Sequence, residues 1–437
     1  MTQTEDNWIR RLYTMDNLPV LRSINSETVD LIYLDPPFNS GKQWENPIGE
    51  GNKRALASFK DTWELSDTHA DEEYELSLVC PEAIPLIDAL HDINGGSWKA
   101  YLIYMGARLA EMHRILKPTG SIYYNCDPVM SHGVKLLMDA LFGGQSSGKV
   151  GGNFRNEIVW CYSGGGVSKR DFPRKHDIIL RYTKHRTWIY NVEYKPYKEN
   201  TQQVGKHSTY SGGHDIDLQR GTPVTDWWTD IKTATGWAQE RTGYPTQKPL
   251  ALLNRIIRAS SKEGDLVLDP FCGCATTCLA AEFAQRQWIG IDLATEAANL
   301  VRERLEKESD SKLKEMKEVA YKVEHLTSLP TRTDLGGLRS DNDVLKPRLY
   351  KMQGGVCLGC EKETPIKLMD IDHIIAKSRG GQNTDDNIQL LCGNCNSIKG
   401  DRGMHYLWKQ ILKRRTDEKM REYEEKRQKQ TKDRQQD

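Results

Sequence analysis

The sequence predicts a doubly wound, mainly parallel α/β sheet followed by a small module held together by metal-binding cysteines. Three observations carry this reading. Short apolar runs ending in an acidic residue recur as "ETVDLIYLDPPF" at 27–38, "GDLVLDPFCG" at 264–273 and "RQWIGIDL" at 286–293, each the pattern of a buried strand that stops where a turn takes over. Helix-periodic segments lie between such runs, and strands alternating with helices favour a parallel sheet. Two CxxC pairs, Cys357/Cys360 and Cys392/Cys395, stand 31 residues apart late in the chain.

The elements follow in order. "YLIYMGARLAEMHRILKPTG", 101–120, has apolar residues at helical spacing and stops at Lys-Pro-Thr-Gly, and "SIYYNCD" after it reads as a strand. From Thr295 to about Val323 the chain is rich in Glu, Lys and Leu, which predicts a long exposed helix. Residues 329–347 are punctuated by Pro and Gly and read as a linker. Residues 413–437 have almost no aliphatic side chains, as in a frayed helix or a disordered tail.

The 437 residues suffice for two or three domains of about 150 residues each. With 38% hydrophobic and 28% charged residues the composition is that of a globular protein. No apolar run approaches the roughly 18 residues of a membrane span, and "MTQTEDNWIRRLY" lacks the regions of a signal peptide. A cytoplasmic protein without a membrane partner is expected. Of the ten cysteines, six lie scattered from Cys80 to Cys278 and read as small buried hydrophobes. The four in CxxC pairs point to zinc rather than disulfides. Net charge is zero, but residues 1–150 hold 13 basic against 21 acidic side chains and residues 151–260 hold 17 against 10. That asymmetry suits a middle segment facing phosphates.

"DPPF", residues 35–38, sets a carboxylate beside two rigid prolines and an aromatic ring. Such a group can hold a flat nucleobase, with the ring stacked on Phe38 and an exocyclic amine bonded to Asp35 and a main-chain carbonyl. "DPFCGCATT", 269–277, has the small residues of a cofactor loop opening a helix. Asp292 ends the following strand, where an acid can accept from ribose hydroxyls.

These residues resemble the amino-methyltransferases of DNA that use S-adenosylmethionine, which pair a [DNS]PP[YFW] catalytic motif with an FxGxG-type cofactor loop. The catalytic motif comes first here, with "GYPTQKPLALLNRIIRASS" just upstream of the loop, as in the beta class. The resemblance implies a Rossmann-like methyltransferase with permuted motif order over residues 1–308. It implies catalytic roles for Asp35, Pro36, Pro37 and Phe38. Asp16, in "MDNLPVLRSI", is expected at the cofactor adenine, Asp292 at its ribose, and Asp269, Phe271 and Gly273 along it, with Thr246, Gln247 and Lys248 near its methionine carboxylate. Ala275 departs from the glycine often found at the third small position of the loop, where a methyl can crowd the cofactor, but alanine is small enough that binding is expected to survive. Asp at the first catalytic position favours N6 of adenine over N4 of cytosine. A target base must leave the stack to be reached, and segment 151–235, with "YSGGGVSKRDFPRKHD" and "GTPVTDWWTDI", is the expected place of double-stranded DNA recognition. Trp227 and Trp228 there also suit a core.

The CxxC pairs fit tetrahedral zinc with four thiolates, Cys357, Cys360, Cys392 and Cys395. Between them Asp372-His373 pairs a carboxylate able to hold a divalent ion with an imidazole able to take a proton from water. "DHIIAKSRGGQNTDDNIQLLCGNCNSIKG" is similar to the HNH nucleases, which implies a small zinc-bound ββα-metal domain at 345–405, preceded by a helix and linker at 309–344 and followed by a charged tail at 406–437. The resemblance makes His373 the general base and Asn387 its orienting residue. Asp372 and Asn396 would hold Mg2+ or a similar ion, and Lys399 would face a phosphate. Restriction-modification in a prokaryote, beside its nucleoid, gives the two activities one logic. The alternatives are a zinc module that only binds DNA and a phage-borne DNA-processing enzyme; RNA methylation fits the motif order less well. A homodimer is compatible with all of these.

Overall fold

The computed structural model describes residues 8–48, 55–144, 153–163, 169–197, 219–234, 242, 244, 246–307, 322–334 and 342–433. Among these residues the strands are β1 (Arg10–Thr14), β2 (Val29–Leu34), β3 (Lys42–Ile48), β4 (Ala55–Asp61), β5 (Leu116–Cys126), β6 (Phe154–Cys161), β7 (His176–Thr183), β8 (Tyr194–Lys195), β9 (Thr222–Pro223), β10 (Trp227–Trp228), β11 (Leu266–Asp269), β12 (Gln287–Asp292) and β13 (Glu324–Leu326), with β14 (Met369–His373) and β15 (Ile388–Cys392) in the last module. Nine of them form one sheet in the order β10-β6-β7-β5-β2-β11-β12-β1-β13. The run from β5 to β13 is parallel, while β7 lies antiparallel between β5 and β6.

Strand β2 shows why its sequence is nearly all apolar. Its six residues are all buried, with Ile32 and Leu34 in the core on one face and Leu31 and Tyr33 in the core on the other, as expected of a strand covered on both sides. One polar member, Asp30, accepts the Leu266 amide at 2.9 Å and Lys117 Nζ at 2.7 Å. It therefore pins β2 to β11, 236 residues later in the chain.

Helices α1 (Asn17–Ser23), α2 (Asp67–Val79), α3 (Ala83–Asn94), α4 (Gly96–Ile115) and α5 (Ser131–Phe142) pack on the first face through Val20, Leu76, Ile87, Leu109 and Val134. On the second face α6 (Leu250–Ser260), α7 (Thr276–Phe283) and α8 (Thr295–Lys307) contribute Leu252, Leu279 and Val301. Doubly wound α/β architecture is thus found as expected. Helix α4 ends at Ile115, and Lys-Pro-Thr-Gly already belongs to β5, so the strand starts earlier than "SIYYNCD".

The last module has α9 (Asn342–Met352), the antiparallel pair β14 and β15, α10 (Gly393–Lys399) and α11 (Met404–Asp433) around a core of Leu349, Met369, Leu390, Leu391 and Leu407. Three expected boundaries shift. The long tail is a helix whose first turns, through buried Met404, Leu407 and Ile411, complete the module's core. Part of the expected linker is fixed to the sheet domain: β13 pairs with β1, and Thr333 N donates to Asn25 Oδ1 at 2.7 Å while Ser26 N donates to Asp334 Oδ2 at 2.7 Å. Segment 151–235 is partly scaffold, because β6, β7 and β10 belong to the main sheet. Trp228 is core at 6% exposure, whereas Trp227 is 63% exposed. Residues 164–168 and 198–218 of that segment, and 308–321 of the expected helix and linker, lie outside the described residues.

Candidate active sites

In an open parallel sheet, ligands gather at the carboxyl ends of the strands. Here the ends of β2, β11, β12 and β1 surround one cavity of about 740 Å³. Its wall includes every residue expected in the first site: Asp16, Asp35, Pro36, Pro37, Phe38, Thr246, Gln247, Lys248, Asp269, Phe271, Gly273 and Asp292. The permuted order of motifs is resolved by pairing, since Leu31 and Ile32 of β2 lie beside Val267 and Leu268 of β11. "DPPF" and "DPFCG" therefore leave adjacent strands.

Both Asp35 oxygens are engaged. Asn125 Nδ2 donates to Oδ1 at 2.8 Å and Lys248 Nζ to Oδ2 at 2.6 Å. Burial pushes the Asp35 carboxyl above its ordinary range, against the opposing pull of Lys248 and Asn125. Burial works against the Lys248 charge too, but the carboxylates of Asp35 and Asp177 outweigh it and hold its pKa above the usual lysine value. Asn125 also reaches Asp177 Oδ2 at 3.4 Å, and Asp177 Oδ1 accepts from the Tyr162 hydroxyl at 3.0 Å. The loop after "DPPF" is held by Asp61, which accepts the amides of Asn39 at 2.6 Å and Ser40 at 3.0 Å.

At the end of the adjacent strand Asp269 holds the loop that follows it, accepting the Phe271 amide at 3.0 Å and the Thr277 hydroxyl at 2.5 Å. Its carboxyl is pushed up to about 7 by burial. Asp292 accepts the amides of Gly273 and Ala294, each at 2.8 Å, which fixes its carboxylate at the cavity rim. Asp16 caps α1 by accepting Leu18 N at 2.8 Å and faces Arg108 at 3.2 Å. Ala275 adopts a left-handed φ of 55°, and its side chain is buried in the core rather than at the cavity wall. Its methyl therefore does not crowd the cavity. The sequence reading missed Asn125, Asp177 and Tyr244, whose ring lines the cavity against Gly273.

In the last module the sulfurs of Cys357, Cys360, Cys392 and Cys395 lie within 4.8 Å of one another. Four such thiols fit a tetrahedral Zn2+ with Zn–S distances of about 2.3 Å. The remaining cysteines among the described residues are free thiols.

The second set of candidate residues sits beside this knot. A cavity of about 300 Å³ is lined by Ile371, Asp372, His373, Ala376, Lys377, Ser378, Gly400 and Asp401. Asn387 braces its loop, taking the Ile375 amide at 2.9 Å and donating to the carbonyls of Ile375 at 3.0 Å and Gln382 at 2.9 Å. His373 Nε2 lies 3.2 Å from Asn383 Oδ1, a partner the sequence reading did not name. Lys399 departs from expectation. It is buried, with Nζ 3.1 Å from Asp372 and 2.7 Å from the His373 carbonyl, so it neutralises the carboxylate instead of facing a phosphate. Gln389 also donates to Asp372 at 2.8 Å, and Asn396 is turned to Asp370 at 3.4 Å. The two expected ion ligands thus have different partners, and Asn396 is not among the residues lining the cavity.

The family model for "DNA methylase" matches residues 29–303, and that for "HNH endonuclease" matches residues 357–402. The chain belongs to the DNA methylase family. It is a DNA methyltransferase of the N6/N4 amino type with an HNH endonuclease domain fused behind it. It is 27% identical over 300 residues, 68% of this chain and 75% of the relative, to the Type II methyltransferase M.HpaI of Haemophilus parainfluenzae. It is 28% identical over 319 residues, 70% of this chain and 85% of the relative, to the DNA adenine methyltransferase YhdJ of Escherichia coli strain K12. A solved PvuII DNA methyltransferase, described as cytosine-N4-specific, aligns with a TM-score of 0.43 at 16% identity, covering 73% of this chain and 95% of that one. Among the described residues no helix is long and apolar enough to cross a membrane.

Proposed function

We propose that this enzyme methylates N6 of adenine in double-stranded DNA and that its HNH domain cuts DNA lacking that mark, a restriction-modification pair in one chain. One observation carries the methylation reading. The carboxylate of Asp35 faces, within a single cavity, the loop 269–273 and the carboxylates of Asp16 and Asp292. Asp35 accepts a hydrogen bond from the amine of the extracted base, and Phe38 stacks on its ring. Asn125 and Lys248 hold Asp35 ionised and aimed. S-adenosylmethionine, when bound by Asp16, Phe271, Gly273 and Asp292, supplies the electrophilic methyl group. Thr246 and Lys248 lie toward its methionine end. The adenine preference is supported by Asp at the first motif position.

The DNA face is supported by the hairpin between β6 and β7. Its strands meet at Cys161 and His176, and Ile178 pairs with Cys126 at the carboxyl end of β5, the end of the sheet on which the cavity lies. It carries Lys169, Arg170, Arg174 and Lys175 around Phe172, which is 98% exposed. An exposed ring among cations is suited to entering a base stack as the target leaves it.

For the HNH domain we propose His373 as general base, with Asn387 bracing its loop. Mg2+ or a similar divalent ion at Asp372 would take over the positive charge that Lys399 now sets there, and Asn396, which now faces Asp370, would have to turn to join it. Purified protein with Mg2+ is expected to cut unmethylated plasmid and to leave plasmid from methylating cells intact, and His373→Ala should cut neither. Long-read sequencing of protected DNA should place the mark on adenine. If no divalent ion supports cutting of either plasmid, the HNH domain is a DNA-binding module instead.

A further inference from the structure

The HNH domain rests on the methyltransferase through polar contacts that reach both active sites. Asp71 of α2, 5% exposed, accepts the amides of Gly403 and His405 at 3.1 Å each and lies 3.4 Å from Arg379. A carboxylate from one domain thus caps the amino end of α11 in the other, the end where an anion is favoured. The fit requires glycine at 403, because a Cβ there would stand 2.0 Å from Asp71 Oδ1.

The second contact is the loop that follows His373. Arg22, in the last turn of α1, pairs with Glu75 and donates to the Arg379 carbonyl at 2.9 Å, and Gln382 donates to the Arg22 carbonyl at 3.3 Å. Gly380, at φ +80°, lies so close that a Cβ would come within 2.7 Å of the Pro19 carbonyl. Residues 379–382 are therefore seated on α1. One residue further, Asn383 meets the His373 ring.

The other end of α1 belongs to the first cavity. Asp16 caps it, and Asn17 Nδ2 donates to the Pro270 carbonyl, in the loop 269–273, at 2.8 Å. Buried Arg108 ties Asp16, Asn17 and Glu72 together, and Glu72 is the neighbour of Asp71 on α2. Helix α1 is only about 10 Å long at 1.5 Å per residue. It is an apolar-packed rod with one active site at each end.

We propose that α1 couples the two sites: a ligand that engages Asp16 and the loop 269–273 fixes α1 and thereby orders the nuclease loop 374–383, so that cofactor occupancy prepares the HNH domain. The proposal rests on reading the first cavity as the S-adenosylmethionine site. Linkage makes it reciprocal, so loosening the docking must weaken cofactor binding by the same factor.

The test uses the full chain with S-adenosylhomocysteine as probe. Hydrogen exchange of residues 374–383 should slow on saturation in the wild type and change little in Arg379→Ala or Asp71→Ala. By calorimetry both variants should bind the probe more weakly, by about fivefold or more, the lower end of common coupling energies. Arg379 is the milder variant, its side chain being 22% exposed. Wild-type protein that binds the probe without slower exchange at 374–383, with affinities in the variants equal to wild type, overturns the coupling. Absence of binding to the wild type overturns the reading of the cavity and the coupling with it.

Discussion

The two active sites differ in how their carboxylates are satisfied. In the methyltransferase cavity Asp35, Asp269 and Asp292 come from the ends of adjacent strands, each is oriented by fixed donors, and all face open space. In the HNH domain Asp372 is closed over by Lys399 and Gln389. A sheet edge holds its functional groups apart at fixed strand spacing, so they stay directed at a ligand. A small domain with one short hairpin and a metal knot lacks that frame, and its acidic residue is neutralised from within. Asp35 too is paired with a lysine, Lys248, but it lines a cavity of about 740 Å³ beside the loop 269–273, whereas Asp372 lines one of about 300 Å³.

The largest expected effect breaks the weaker frame. Cys357→Ser, or removal of zinc by a chelator, should unfold the HNH domain, because structural zinc contributes on the order of 10 kcal/mol to modules of this size. Circular dichroism and hydrogen exchange over 345–411 would follow the loss. The kcat of methylation should persist while the KM for S-adenosylmethionine rises. Collapse of both domains would show that they share one folding unit.

Lys248→Met tests the fixed orientation in the first site. Leaving the buried carboxylate of Asp35 unpaired costs about 3–5 kcal/mol, so methylation should fall steeply. The pH profile gives the sign. Asp35 must be ionised to accept from the amine, and its pKa already lies above the ordinary range through burial. Without the nearby ammonium it rises further, and the acid limb of kcat should move to higher pH. An unmoved limb would exclude Asp35 as the titrating group.

A smaller loss is expected from Phe172→Ala. Base stacking on an aromatic ring contributes about 1–3 kcal/mol, so kcat/KM for duplex DNA should drop about tenfold or more. A duplex with a mismatch at the target base should recover most of it. The least effect belongs to Ala275→Gly. Relief of the left-handed alanine, about 1–2 kcal/mol, is offset by the lost methyl, about 0.8 kcal/mol, and by the greater freedom of glycine in the unfolded chain. Thermal unfolding should shift little and cofactor affinity should hold, since that methyl points into the core.

How much of this was legible in the sequence follows the same division. Asp35, Asp269 and Asp292 announce themselves because each sits at the end of an apolar run with a local signature. Asn125 and Asp177 carry none: Asn125 reaches Asp35, and Asp177 reaches Asn125, only because β5 pairs with β2 and β7 with β5. The resemblance of "DHII" to "CNSIKG" to HNH nucleases named the candidate nuclease residues but not the direction of Lys399, which is decided by two acceptors in a buried space. Asp71 carries no local signature at all. Its partner amides lie 332 and 334 residues away, beyond any local pattern. The boundary of the tail at 406 was misplaced for the reverse reason, since buried Leu407 and Ile411 at its start are outweighed in composition by the charged turns that follow.

The central claim is that the Asp35 carboxylate acts on the base amine. Methyl transfer to unmethylated duplex DNA should be measured for wild type, Asp35→Ala and Asp35→Asn, with S-adenosylhomocysteine affinity determined alongside. The expected result for Asp35→Ala is a fall in kcat of about 10³-fold, the scale of losing one polar group aimed at reacting atoms, with Asp35→Asn intermediate and cofactor affinity retained. Methyl transfer at the wild-type rate by Asp35→Ala would contradict the account.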